Sequence, residues 1–366
     1  MLKNPLGKIA TGIELTIDSV KLCRLKKKDK IFLLNLCKRK IHSEPLRDDE
    51  KDAWSNLAID AIKKLLSENK IKAHEVYVSI PSSSVVIRYL KLPYMPPEEL
   101  REVIRFEAEE HIPFEVEQAL MDFHITKDFI EKEERIMEVL LVAAKREVIH
   151  EYIHIFQKVG LDPIYINVDT FGIEDAWEIG EEGSTKGEKV VALVDIGGRT
   201  TNINIIEGNA SSFNRDIIVG GNDFTDSVKD EFGITFSEAE NKKEEKGAIL
   251  LGEEYGTVTD DEKGRISYCL ESVASRLLDE LDRSFTYYYT QLPSYKKNID
   301  KIILSGGSAN LPNLPAFLSQ GLGINVVLTN PFLNIDLSKG NFKPGEIERK
   351  KTGFTASIGL ALRGLQ

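Results

Sequence analysis

Two stretches of this chain, about half its length apart, read as the same local unit. In the first, Gly12–Leu15 is a strand arm carrying an acid, Glu14, near its end. A short turn follows at Thr16–Ser19, and an apolar arm returns over Val20–Leu25. In the second, the strand Val190–Val194 leads to Asp195, a Gly-rich turn spans Asp195–Thr200, and Thr201–Ile206 returns. Glu14-Leu15-Thr16 aligns with Asp195-Ile196-Gly197, and Ser19 with Thr200. Such a recurrence predicts a duplicated α/β fold whose halves face each other. Its chemistry follows from the turn. Glycines let a tight turn aim several backbone N–H groups at one point, which makes an anion nest. Two such turns can clamp a polyphosphate, and an acid at each strand end can hold Mg²⁺ through its waters. A third element, Ser305-Gly306-Gly307-Ser308, follows the strand Ile302–Leu304. Glycines there allow a flat ring or a phosphate close to the backbone. No GxxxxGK[ST] occurs, which excludes a P-loop.

With 366 residues, 42% of them hydrophobic, the chain has enough material for two domains. The net charge of -11 speaks against nucleic acid and against docking on anionic lipid. Cys23, Cys37 and Cys269 are scattered and form no CxxC pair, which fits a reducing compartment. No signal core, spanning apolar run or lipidation motif is present. The expectation is a cytoplasmic protein, without direct membrane insertion, that reaches a membrane through a partner.

Between the two repeated units lie a helix over Asp52–Glu68 and a strand over Glu75–Ile80. A strand, a helix opened by Pro96-Pro97, two strands and a helix over Glu147–Val159 follow, and they predict an inserted α+β unit at residues 82–158. Gly180–Lys189 is the best linker, and Ser237–Glu240 forms a candidate capping box. The expected division is a first lobe of 1–81, 159–185 and 345–366, and a second lobe of 186–344 with 216–298 as its outer part.

His150-Glu151-Tyr152-Ile153-His154 matches HExxH, the zinc-peptidase pattern, with Glu174 as a conceivable third ligand. The apolar stripe of that helix runs through Ile149, Tyr152, Ile153 and Phe156, so the histidines are expected on its solvated side. Tyr287-Tyr288-Tyr289 is expected to divide between core and surface.

Several longer stretches carry a family resemblance. They are Gly12-Ile13-Glu14-Leu15, Ser19-Val20-Lys21-Leu22, Lys91-Leu92-Pro93, Ile104 through Phe114 (with Phe106-Glu107-Ala108-Glu109-Glu110-His111-Ile112-Pro113-Phe114), Asp195-Ile196-Gly197, Gly220-Gly221-Asn222, Leu304-Ser305-Gly306-Gly307, Asn330-Pro331-Phe332 and Ile358 through Arg363. Together they resemble the PilM family of type IV pilus assembly proteins, a branch of the actin-like ATPase superfamily. The resemblance implies two lobes around a cleft for ATP and Mg²⁺. Glu14 and Asp195 would hold the hydrated metal, and Asp169 would face the water at the γ-phosphate. Ser19, Gly197, Gly198, Thr200, Thr201, Gly220 and Gly221 would contact phosphate, Gly306 and Gly307 adenosine, and Glu280, Arg283 and Ser284 ribose and adenine. Thr16 stands where family members usually have glycine, which implies slow or undetectable ATP hydrolysis. The implied partner is the N-terminal cytoplasmic peptide of a PilN-like inner-membrane protein, alongside other pilus assembly proteins, with a homo-oligomer left open. The competing member is FtsA, a polymerising cell-division protein. FtsA-like chains continue into a membrane helix, whereas this sequence stops at Leu365-Gln366.

Overall fold

The computed structural model describes residues 7–42, 44, 51–180, 190–208, 210–251, 261–291, 298–340, 342 and 345–366. The expected linker therefore lies outside them, apart from Gly180. The first lobe opens with a meander of β1 (Lys8–Leu15), β2 (Ser19–Lys27) and β3 (Ile31–Lys40), then α1 (Lys51–Glu68) and β4 (Glu75–Ile80). The insertion supplies β5 (Val85–Pro93), α2 (Pro97–His111), β6 (Ala119–Glu131) and β7 (Glu134–Lys145). The chain returns through α3 (Arg146–Lys158), β8 (Asp162–Val168) and α4 (Asp169–Gly180). The second lobe repeats the plan with β9 (Val190–Ile196), β10 (Thr201–Glu207), β11 (Ala210–Ile217), α5 (Gly221–Phe232), α6 (Phe236–Lys246), α7 (Glu262–Gln291), β12 (Lys301–Gly306), α8 (Leu314–Leu322) and β13 (Asn325–Leu328). β14 (Ile335–Asp336), α9 (Glu346–Lys350) and α10 (Thr355–Arg363) close the described chain.

The duplication is visible in the strand order. The larger sheet runs β14-β3-β2-β1-β4-β8, and the second runs β11-β10-β9-β12-β13. Each has an antiparallel three-strand meander whose first strand pairs in parallel with the next in line, which in turn pairs in parallel with one more. Helices cover both faces, so β1 is buried at six successive positions and β9 at nearly every one. On one face of the larger sheet, Ile13, Val20 and Val78 meet Ile62 and Leu65 of α1 and Tyr152, Ile155 and Phe156 of α3. On its other face, Ala10, Cys23 and Leu25 meet Ile358, Ala361 and Leu362 of α10.

Helices α4 and α10 lie between the sheets. Ile173 and Trp177 of α4 and Ala356 of α10 share a core with Val191, Leu193 and Ile303 of the second sheet. Glycines allow this close approach. A Cβ on Gly359 would stand 1.7 Å from the Gly172 carbonyl oxygen, and one on Gly12 would stand 2.2 Å from the Ser357 carbonyl oxygen.

The insertion has its own core, in which Leu100, Ile104 and Ala108 of α2 pack on Leu90, Met137, Val139 and Leu141 of a three-stranded sheet ordered β5-β7-β6. Helix α3 packs with the first lobe's core and not with this one. The capping box of α6 is Thr235 with Glu238, two residues before the expected Ser237–Glu240. Phe236 is buried and the helix must start early enough to include it. Among the described residues no helix is long and apolar enough to cross a membrane.

Candidate functional site

Glu14 and Asp195 are the penultimate residues of β1 and β9, the equivalent strands of the two sheets. Past each acid the backbone closes the same bond. Thr16 N–H donates to the Ser19 carbonyl at 3.0 Å, and Gly197 N–H donates to the Thr200 carbonyl at 3.0 Å. The alignment made on sequence alone thus holds at the level of single hydrogen bonds.

Asp169 is the first residue of α4, and it joins the two acids from the floor of the cleft. Its Oδ1 accepts from Ser82 N–H at 2.9 Å and from Thr170 N–H at 2.7 Å. Burial pushes its carboxyl well above the usual range, and Asp195, Glu14 and Asp216 add to this. Asp195 accepts a 2.5 Å hydrogen bond from Ser305 Oγ on the neighbouring β12. Its pKa is pushed up to about 6 by burial, with Lys21 and Ser305 pulling down and Glu14 and Asp216 pushing up.

One cation sits among these acids. Lys21 of β2 lies directly across the hairpin from Glu14, and its Nζ is 2.7 Å from Glu14 Oε1. Burial works to lower the Lys21 ammonium, but Glu14, Asp195 and Asp169 outweigh it and hold the pKa above its ordinary value. Lys21 was missed as a site residue in the sequence, although a Glu and a Lys facing each other across a tight hairpin is a readable signal.

Glu14 is buried and Asp169 and Asp195 are half-buried, and among the described residues these three carboxylates against the Lys21 ammonium leave the cluster short of positive charge. The donors are hard oxygens, which fit Mg²⁺. Among the described residues no three acids converge closely enough to ligate one ion directly. Glu14 and Asp195 could hold such an ion through its waters.

The turns differ in what they offer a phosphate. In the first, Thr16 folds its hydroxyl over its own turn: Ser19 N–H donates to Thr16 Oγ1 at 3.2 Å, and Thr16 Oγ1 donates to the Ser19 carbonyl at 3.2 Å. A glycine would leave that Ser19 N–H to a ligand. In the second turn, Gly197 and Gly198 offer carbonyls to the N–H groups of Gly221 (2.8 Å) and Asn222 (2.7 Å). Gly220 N–H donates to Asp223 Oδ2 at 2.9 Å. The Gly220-Gly221 pair thus holds α5 against the turn, with those N–H groups already engaged. A Cβ on Gly220 would lie 2.5 Å from the Gly198 carbonyl oxygen, and one on Gly221 would lie 2.5 Å from Ser308 Oγ of the third loop. Thr201 is buried and its hydroxyl donates to the Val219 carbonyl at 2.7 Å, so it braces the strand end. Asp18 bridges the turns: its Oδ2 lies 2.5 Å from where a Gly198 Cβ would stand, and its Oδ1 is 3.6 Å from Arg199 Nε.

Gly306 has φ +94°, and a Cβ there would lie 2.1 Å from the Ile196 carbonyl oxygen. Its glycine is required by the backbone of β9. Gly307 has open space around its Cβ position and is the member of the pair a ring can approach.

Among the described residues, the contacts of Glu280, Arg283 and Ser284 lie within α7 itself. Arg283 Nη1 donates to Glu280 Oε1 at 2.7 Å on the helix surface. Ser284 is fully buried, and its hydroxyl donates to the Glu280 carbonyl at 2.7 Å. Arg276, one turn nearer the start of α7, does reach the cleft side, with Nη2 2.7 Å from Asp223 Oδ1 beside Gly220. The HExxH histidines lie exposed on α3, Glu151 accepts from the Ser55 hydroxyl, and Glu174 is on α4, where it accepts from Asn204 at 3.1 Å.

Two sheets of one strand order, facing across a cleft with an acid at each equivalent strand end, define the actin-like ATPase fold. Over residues 12–365 the sequence matches the family described as type IV pilus assembly protein PilM. The chain belongs to that family. Among solved structures it is similar to a chain of a PilM-PilN type IV pilus biogenesis complex, at 24% identity and TM-score 0.80, over 98% of each chain. It is similar also to the ethanolamine utilization protein EutJ from Carboxydothermus hydrogenoformans, at 14% identity and TM-score 0.56, over 98% of this chain and 91% of that one. At these identities the two structures speak for the fold alone.

Proposed function

We propose that this protein is a nucleotide-binding scaffold of the type IV pilus inner-membrane assembly complex, working at the cytoplasmic face and recruited by the N-terminal peptide of a PilN-like membrane protein. The observation that carries the nucleotide half is the partly buried, cation-deficient cluster of Glu14, Asp195 and Asp169 between two matching turns. The Mg²⁺ that accompanies ATP would supply the missing positive charge, and the phosphates would lie toward the turns. Asp169, half-buried and raised in pKa, is the candidate to orient water, but Thr16 closes part of the first turn. Phosphoryl transfer needs a positioned nucleophile as well as the metal, so we expect slow or undetectable hydrolysis from the isolated chain. The partner half is supported by family membership and by the PilM-PilN complex among its structural relatives.

Mg·ATP should raise the melting temperature, because a ligand of the native state stabilises it by linkage. Asp195→Ala should remove most of that rise. A full rise in the variant would overturn the metal assignment, and no rise in the wild type would overturn the nucleotide reading.

A further inference from the structure

The inserted sheet does not stand free of the second lobe. The strand order leaves β11 as an edge of the five-stranded sheet, and an open edge exposes a row of unpaired backbone groups. The insertion runs along that edge. Near the cleft, at the root of the insertion, Ser82 Oγ donates to Asp216 Oδ1 of β11 at 2.8 Å. Midway, Tyr89 of β5 shares a 2.6 Å hydrogen bond with the buried hydroxyl of Ser211. Ser211 Oγ donates onward to Asn204 Oδ1 at 2.5 Å, and Asn204 Nδ2 to Glu174 of α4 at 3.1 Å. At the far end, Lys127 Nζ of β6 is 2.7 Å from Glu207 Oε2, and Glu207 Oε1 accepts from the buried Tyr288 at 2.6 Å. The insertion leaves the first lobe between β4 and α3, so each of these bonds crosses from one half of the molecule to the other.

We propose that the inserted sheet is a strut between the lobes that restrains opening of the cleft and thereby sets how fast nucleotide leaves. This rests on the cleft being a nucleotide site. The tie points argue for a restraint more than for incidental packing. Two lie on the edge strand β11, the third is Glu207 at the end of β10 opposite Ala210 at the start of β11, and each is made by a side chain with a second partner behind it. Opening the lobes must pull the insertion off the second sheet and so break the Tyr89 and Lys127 bonds. A ligand that draws the insertion away from β11 would then speed nucleotide exchange.

The test uses the full chain and the double variant Tyr89→Phe with Lys127→Met, which keeps side-chain bulk and touches no cleft residue. Release of a fluorescent ATP analogue, chased with excess ATP, should be about tenfold faster in the variant, as expected for losing two modest cross-lobe bonds. An unchanged release rate overturns the strut. Hydrogen exchange of nucleotide-free protein gives a second readout: residues 210–217 should exchange several-fold faster in the variant. If the wild type binds no analogue, the nucleotide reading fails by itself, and equal exchange of 210–217 in the two proteins would separately overturn the strut. If the double variant does not fold, Tyr89→Phe alone carries both measurements.

Discussion

At the scale of residues, the cluster is governed by desolvation. Asp195 and Asp169 are largely withdrawn from water with too little positive charge, and both are harder to ionise than an exposed aspartate. The sign for stability follows. A carboxyl whose folded pKa is raised stabilises the folded state fully below its unfolded pKa, near 4, and loses that contribution as pH rises through the folded value. For Asp195 the window runs up to about 6. Metal-free protein should therefore melt lower at pH 7.5 than at pH 5, with Asp195 contributing on the order of 1 kcal/mol to that fall, since part of its contribution is already lost between pH 4 and pH 5. Asp195→Asn should flatten the slope, and Mg²⁺ should stabilise wild type more at pH 7.5 than at pH 5. Thermal melts in chelator and in Mg²⁺ across this range provide the check; an unchanged slope in the variant would assign the pH dependence to another group. The acids were legible in the sequence because a lone carboxylate at a strand end beside a turn stands out. Lys21, Asp18 and Arg276 were not singled out, because each takes its meaning from a side chain that only folding brings near.

Among elements, the contact that most constrains the molecule is the crossing of α4 and α10 between the two sheets. The two helices touch through Gly172 and Gly359 with no room for a methyl group, since a Cβ on Gly359 would stand 1.7 Å from a backbone oxygen. Gly359→Ala must push the helices apart and disturb the shared core of Ile173, Trp177 and Ala356. We expect a loss of about 3 kcal/mol or more, at the upper end for overpacking. Gly160→Ala is a suitable comparison: no atom lies near its Cβ position, though its φ of +77° strains any side chain. Denaturant titration distinguishes the two, and a Gly359→Ala loss no greater than that of Gly160→Ala would show that the crossing can relax. Their crossing was not legible in the sequence, because a glycine within a helix gives no sign of which backbone will approach it.

For the whole molecule, the question is how the cleft speaks to the partner. The insertion has its own core, whereas α3 belongs to the first lobe, so we propose residues 82–145 as the unit to remove when testing the partner site. A peptide of about ten residues from a PilN-like N-terminus can add to a strand edge or fill pockets beside it. It should bind the intact chain and lose binding when 82–145 are replaced by a short linker. Fluorescence titration of both proteins is the measurement, with a melt to confirm that the shortened chain folds. Equal affinity would move the partner site away from the insertion. No binding by the intact chain would count against PilN-like recruitment.

By itself the sequence determined the duplicated hairpins, the acids at their ends, the glycine turns and the existence of an inserted unit. All of these are written in local signals: alternation of apolar residues, a turn that needs glycine, a proline that opens a helix. Only the tertiary structure decided that Lys21 neutralises Glu14, that Gly306 serves the backbone of Ile196, that Ser284 is buried within its own helix's bonding, and that the insertion lies along β11. Those facts depend on which faces meet across long stretches of chain. Burial, more than local propensity, sets what a charge or a glycine at such a contact must do.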